Sequence, residues 1–394
     1  MRLRGIVRST GARYAGVRFL GRLLACALAL SWAAGAIAQD RASFQAIDLD
    51  SGPSLGQLVS ELAAKRVVFI GEIHNRYDNH LNQLAIIRRL HALHPHMAIG
   101  VEYFQQPFQS HIDDYIAGKI SEDEFLRTTQ YFTRWGFDYR LYAPIFRYAR
   151  AEHIPVRALN VPTKLVEEVA RVGIAGVSGK DRAYLPRRIE PASPAYRKRL
   201  QEAFDEHQGM TFQHFVEAQL VWDEGMAKCA AAYLNAHKSV HMVILAGAGH
   251  MEFGSGIPHR LERRTQASYV IVLSSGVNLA PHVADYFLLS KKQNLPPAGV
   301  LDARLKEIDG ECRIASLRAG GAGEKAGLRK ADVLTEIDGH VVKGIADTRL
   351  ALWNKKPGDI VRIEVRRKRF LRPAARLDFE VKLAASPQRL PENR

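Results

Sequence analysis

The sequence predicts an α/β protein with a mostly parallel central sheet flanked by helices, followed by a small β-rich domain. Three observations predict it. Two apolar runs, residues 67–70 and 242–246, each lead into a Gly-x-x-His turn, Gly71-Glu72-Ile73-His74 and Gly247-Ala248-Gly249-His250. Between these turns, short apolar runs alternate with amphipathic helical stretches, the signature of a parallel sheet built from βαβ units. Beyond Pro296-Pro297-Ala298-Gly299 the pattern changes to short strands separated by turn residues at hairpin spacing. The expected organisation is an export signal over residues 1–38, an α/β domain over 39–292, a β-rich domain over 293–385 and a tail over 386–394.

The first 38 residues carry arginines at positions 2, 4, 8, 13, 18 and 22 and no acidic residue or lysine. An apolar run over 23–34 follows, then Ala36-Ile37-Ala38, a small-x-small cleavage site. The run is short for a transmembrane span. Cys26 sits only three apolar residues after Arg22, so a lipoprotein box would leave most of the run beyond the cut, and a cleaved signal is the better reading. The expected location is the periplasm or cell envelope. Cys229 and Cys312 remain in the mature chain, in different expected domains, which argues against a structural disulfide.

The chain has 394 residues, 47% of them hydrophobic and 25% charged, enough for two domains with real cores. Net charge is +15, and removing the six arginines of the signal leaves +9. The remaining cations are dispersed, which speaks against nucleic acid. A basic surface is compatible with peripheral association with anionic membranes.

Helices are expected over residues 56–62, 77–93, 107–117, 122–130, 144–152 and 211–233, with strands at 97–101, 156–159 and 269–273. Glu102 follows the strand at 97–101, and Asn160 follows the one at 156–159. Ligands of open parallel sheets bind outside the carboxyl ends of the strands. His74, Glu102, Asn160 and His250 are therefore expected to line one site. Imidazoles and a carboxylate suit Zn, Mn or Fe, so His74, Glu102 and His250 form a candidate metal set. Glu72 and Glu102 are the candidate catalytic carboxylates, although Glu72 reads equally well as a helix-cap partner. Tyr77, His80 and Gln83 share one helical face beside His74, either extending the pocket or forming the polar half of an amphipathic helix. Tyr103, Tyr131, Tyr139 and Tyr142, with Phe132, Trp135 and Phe137, make an aromatic-rich region. It can stack on a flat ligand, and a tyrosinate can bind haem iron; ordinary core is the simpler reading of each single tyrosine.

Two resemblances follow from these residues. The run Glu324-Lys325-Ala326-Gly327-Leu328, then Asp338-Gly339, then Lys356-Pro357-Gly358-Asp359, resembles bacterial PDZ modules. Such modules bind an extended peptide or protein C-terminus by strand addition, with Gly299, Val300 and Leu301 at the expected gripping loop. Residues from about 60 to 290 resemble the ChaN family of haem-binding uptake proteins of the Tiki superfamily. The matching residues are Gly71-Glu72-Ile73-His74 with His80 and Gln83, Glu102, Ala158-Leu159-Asn160-Val161-Pro162, residues 218–227, and Gly247-Ala248-Gly249-His250 with Gly256-Ile257-Pro258. This resemblance implies an exported protein that binds haem between two subunits of a homodimer, with a tyrosine on the iron. Other members of that superfamily are metal-dependent proteases that use both Gly-x-x-His turns and the glutamate. The leading expectation is haem binding in iron uptake, with His74, Tyr77, His80, Glu102, Tyr103, Asn160 and His250 around the ligand. The alternatives are a metal-dependent hydrolase or protease and a non-catalytic envelope adaptor.

Overall fold

Six strands form one sheet whose two central strands carry the two Gly-x-x-His turns. A computed structural model describes residues 54–204, 210–369 and 371–387. The expected signal at 1–38 and most of the tail at 386–394 lie outside the described residues. The strands are β1 (Val67–Glu72), β2 (Ala98–Gln105), β3 (Val156–Asn160), β4 (Met242–Gly247), β5 (Tyr269–Ser274) and β6 (Tyr286–Leu288). Their order is β3-β2-β4-β1-β5-β6, and every pairing is parallel. Glu72 on β1 stands in register with Gly247 on β4, so both turns leave the sheet side by side.

Both faces of this sheet are covered, which is why its strands read as continuous apolar runs rather than alternating ones. Side chains of successive residues go to opposite faces. Val68, Ile70, Val243 and Leu245 pack with Leu84 and Ile87 of α2 (Tyr77–Leu93), beyond α1 (Leu55–Ala63) in the chain. The helices α3 (Gln109–Ile116), α4 (Glu122–Thr128), α5 (Tyr131–Arg134) and α6 (Ala143–Ala151) carry the aromatic region into that same core. Val67, Phe69, Ile244 and Leu273 pack on the other face. After α7 (Thr163–Val172) and α8 (Pro194–Phe204), that face is covered by α9 (Phe212–Ala236) and α10 (Ile257–Thr265). Thr211 caps α9 by accepting from the His214 amide. Of the apolar stripe that the spacing predicts on α2, Leu81, Leu84, Ile87 and Leu90, the last three are buried and Leu81 is half-buried. The same helix also buries Asp78, Asn79, His80 and Gln83, so its polar side is not a solvated face.

The β-rich domain is antiparallel. Its strands β8 (Ala303–Ile308), β9 (Glu311–Leu317), β10 (Val333–Ile337), β12 (Ile360–Arg369) and β13 (Arg372–Lys382) lie in the order β13-β12-β10-β9-β8. Short β11 (His340–Val341) pairs with β10, and β7 (Gly299–Val300) pairs with β14 (Ala384–Ala385). The helices are α11 (Ala322–Lys325) and α12 (Ile345–Leu352). Strand β8 alternates apolar and charged residues, ARLKEI, with a largely exposed outer side. Its low apolar density does not mark it as a strand in the sequence.

Trp353, just after α12, is buried in the core of the α/β domain. Its indole N–H donates to Asp123 Oδ1 at 2.7 Å, and its ring meets Tyr139 edge-on at 5.2 Å. Arg140 Nη1 donates to the Pro296 carbonyl at 2.8 Å. The two domains are therefore docked through a buried aromatic. Removing such a side chain costs about 3–5 kcal/mol. Trp353→Ala is expected to lower the unfolding midpoint and to speed proteolysis within residues 289–298. Cleavage at the wild-type rate would show that Trp353 does not hold the domains together.

Candidate functional site

The site grows from the carboxyl ends of β1, β2, β3 and β4. Glu72, the last residue of β1, is buried, and its carboxylate gathers four side chains. His74 Nδ1 lies 2.9 Å from Oε1, while Gln83 Nε2 and the Tyr103 hydroxyl donate to Oε2 at 2.7 and 2.8 Å. His80 Nδ1 stands 3.2 Å from Oε2, and its Nε2 is 3.1 Å from the His74 carbonyl. Burial would raise the Glu72 pKa. The charge of His80 and the hydrogen bonds from His74 and His80 overcome this and hold it well below the usual carboxylate range. Glu72 is thus neither a helix cap nor a carboxylate open to a ligand; it orients His74. His80 and Gln83 do not widen a pocket but complete the shell around Glu72.

Glu102 on β2 is the second centre. Its Oε2 accepts the Gly247 amide at 2.7 Å, and its Oε1 lies 3.4 Å from His250 Nε2. On the other side of the ring, His250 Nδ1 lies 2.7 Å from Asp223 Oδ1, and Asp223 Oδ2 accepts the Tyr196 hydroxyl at 2.6 Å. His250 is therefore clasped between two carboxylates, and it satisfies both only when both ring nitrogens carry protons. Burial works against the charge, but Glu102 and Asp223 raise the His250 pKa to about 10. Asn160 Nδ2 donates to the Glu102 carbonyl at 3.1 Å, while its buried Oδ1 has no hydrogen-bond partner.

His74 and Glu102 face each other across Gly247. A Cβ at Gly247 would lie 3.0 Å from His74 Nε2 and 3.6 Å from Glu102 Oε2, so the missing side chain keeps a small cradle open. Glu102 and His250 are nearly covered, whereas the His74 side chain is 25% exposed. Its ring is walled by Trp135 at 5.0 Å and Phe137 at 4.8 Å. Burial would lower the His74 pKa, but the bond to Glu72 and the charge of Glu102 raise it above the usual value.

Among the described residues, no group of three or more His, Cys, Asp and Glu side chains is arranged to hold a metal ion. The candidate set His74, Glu102 and His250 comes to one strand end. However, His250 is turned onto Glu102 as an ion pair, and His74 stands across Gly247. The tyrosines also differ from expectation. The Tyr103 hydroxyl is committed to Glu72, Tyr131 to the Phe137 carbonyl, Tyr139 to Glu122 and Tyr142 to the His74 carbonyl. Burial pushes all four phenols well above their usual pKa, so a tyrosinate is disfavoured at each. Tyr77 is half-buried and packs against the apolar core. Asp223 is a site residue that sequence reasoning missed. The available signal was the acidic pair Asp223-Glu224 following the apolar run Leu220-Val221-Trp222 of α9, whose Trp222 meets His250 edge-on at 6.1 Å.

At the other end of the chain, Gly299, Val300 and Leu301 head a groove between β8 and α12, with about 490 Å³ of open volume. A Cβ at Gly299 would lie 2.5 Å from the Lys356 carbonyl, which explains glycine at that position.

Comparison with known proteins agrees with both domains. The family model described as haem-binding uptake, Tiki superfamily, ChaN, matches residues 58–261, and the PDZ domain model matches residues 299–383. A solved structure of ChaN of Campylobacter jejuni, described as showing cofacial heme binding, is 17% identical with a TM-score of 0.50. It covers 60% of this chain and 91% of its own. An HtrA-type protease solved with a decapeptide matches 24% of this chain and 31% of its own, at 18% identity and a TM-score of 0.22. A curated relative, Protein RETICULATA-RELATED 5, chloroplastic, of Arabidopsis thaliana, is 23% identical over 54% of this chain. The match spans 31% of that relative's length.

Two outcomes follow from the geometry. Gly247→Ala is expected to displace the His74 ring and to weaken ligand binding at this site about tenfold or more, with unchanged circular dichroism. Undiminished binding would show that the cradle is not used. The second outcome concerns pH. His74, His80 and His250 have folded pKa values above 6.5, so their contribution to stability is complete below pH 6.5 and is lost as pH rises, for His250 through about 10. Glu72 and Glu102 lie below 4.5, so theirs is complete above pH 4.5 and is lost as pH falls through the depressed values. The unfolding midpoint is expected to peak between about pH 4.5 and 6.5. His250→Gln should reduce its fall between pH 7 and 10, and an unchanged slope would contradict the His250 assignment.

Proposed function

Because the chain belongs to the haem-binding uptake family of the Tiki superfamily, we propose that it binds haem at the open side of this strand-end site, with His74 as the group facing the iron. The observation that carries this reading is the state of His74. Its Nδ1 is held by Glu72, its Nε2 borders the cradle beside Gly247, and its ring lies between two aromatic walls. A carboxylate on one ring nitrogen fixes the tautomer and raises the basicity of the other, as in many metal-binding histidines. The four buried tyrosines do not fit the role of iron ligand. Bound haem would supply the iron centre. The chain supplies an oriented imidazole, aromatic surface and a covered, ion-paired floor. The export signal expected from the sequence of residues 1–38 supports a place in the periplasm or cell envelope, and a role in iron uptake accords with both.

Haemin titrated into the mature chain, followed by the Soret band, tests this. The wild type is expected to give a saturable shift, with Tyr77→Phe unchanged and His74→Ala weakened about tenfold or more. Iron ligation needs the neutral imidazole, and the His74 pKa is raised, so affinity should increase with pH across the neutral range. Loss of the shift in Tyr77→Phe with retention in His74→Ala would contradict the assignment.

One observation favours a second reading, hydrolysis. Glu102, kept ionised by His250 and the Gly247 amide, faces the same cradle as His74. In that reading Glu102 accepts a proton from water and the His250 imidazolium donates one to the leaving group. A screen with chromogenic esters and peptides, wild type against Glu102→Gln, decides it: activity equal in both removes this reading.

A further inference from the structure

One residue borders both the peptide groove and the candidate site. The groove between β8 and α12 is lined on its own domain by Leu301, Leu305, Ile345 and Leu352, and across from them by Phe132 and Phe137 of the α/β domain. Both phenylalanines are half-buried. Phe137 also packs on the His74 ring at 4.8 Å and on Trp135 at 5.6 Å. The groove cannot drift from this wall, because Trp353 pins the end of α12 into the α/β core through Asp123 and Tyr139.

We infer that the groove is composite: a bound peptide is gripped by the PDZ domain on one side and by Phe132 and Phe137 on the other, and its occupancy is transmitted through Phe137 to His74. This rests on the PDZ domain acting as a peptide binder. The occupant is an extended segment with an apolar C-terminal residue and an acidic residue upstream. Three features select it. Strand β8 is the outermost strand of its sheet, with one edge open to pairing. The head of the groove is apolar. Arg349 stands exposed on its rim, a cation placed for an acidic side chain. A peptide backbone added to β8 places alternate side chains against α12 and against the phenylalanine wall. Because Phe137 is in contact with the imidazole, any shift in its rotamer changes the packing of the partly exposed His74 ring. The coupling is reciprocal, so a ligand at His74 also changes peptide affinity.

The test uses the mature chain and fluorescein-labelled hexapeptides with glutamate at the third position and Val, Leu or Phe at the free C-terminus. Anisotropy gives affinity, and histidine side-chain nitrogen NMR, with His74 identified by the signal lost in His74→Gln, gives the coupling. At least one peptide is expected to bind the wild type and to shift the His74 signal. Leu305→Glu should abolish binding, Arg349→Glu should weaken it severalfold, and Phe137→Ala should weaken it about fivefold and remove the His74 shift. Phe137→Leu keeps apolar bulk and should fall between. Binding that Leu305→Glu abolishes but Phe137→Ala leaves at full strength, or a wild-type His74 signal that does not move, overturns the composite groove while leaving the PDZ reading in place. No binding of any peptide by the wild type overturns the PDZ reading and this inference together.

Discussion

The buried carboxylate of Glu72 is the interaction on which the rest of this site depends. It sits at the end of a central strand, out of water, where an unpaired charge would be costly. His74, His80, Gln83 and Tyr103 all turn toward it, from the turn after β1, from α2 and from β2. That convergence accounts for the buried polar side of α2 and for the tyrosine that points inward from β2. It also sets the one exposed imidazole of the site at a fixed angle. Beside it, Glu102 repeats the arrangement with His250 and Asp223. The parallel register of Glu72 with Gly247 brings the two clusters together, and the absent side chain of Gly247 keeps a gap between them.

Much of this was legible in the sequence. Runs of β-branched and aliphatic residues ending in glycine located the strands, and parallel sheets direct such ends to one edge, so His74, Glu102, Asn160 and His250 could be grouped from spacing alone. The two Gly-x-x-His turns lie side by side as their likeness suggested. What spacing does not encode is direction. Tyr103 and His74 are near neighbours in the fold, yet one hydroxyl is spent on Glu72 and the other ring is open. Whether a buried residue serves a ligand or serves a neighbour depends on packing against distant segments. Asp223 went unread for the same reason, since one of three acids on a long helix gains meaning only when the His250 turn arrives against it. Strand β8 is hard to see in the sequence because it lies at a sheet edge, where one side is exposed and apolar density is low.

The two domains also constrain each other. A PDZ module tethered by a flexible linker would sample many orientations, but the burial of Trp353 in the α/β core gives this one a defined placement. The groove between β8 and α12 then shares the segment 132–138 with the wall of the His74 site. The groove and the His74 ring are thereby joined by side-chain contact through Phe137 rather than by proximity along the chain.

Carboxylates buried at strand ends hold these imidazoles in defined charge states. Nitrogen NMR of the histidine side chains at pH 8 tests it most directly. His250, clasped by Asp223 and Glu102, is predicted to remain doubly protonated, with both ring nitrogens at imidazolium shifts and titration delayed to about pH 10. A neutral His250 at pH 8, with one nitrogen unprotonated, would contradict the account.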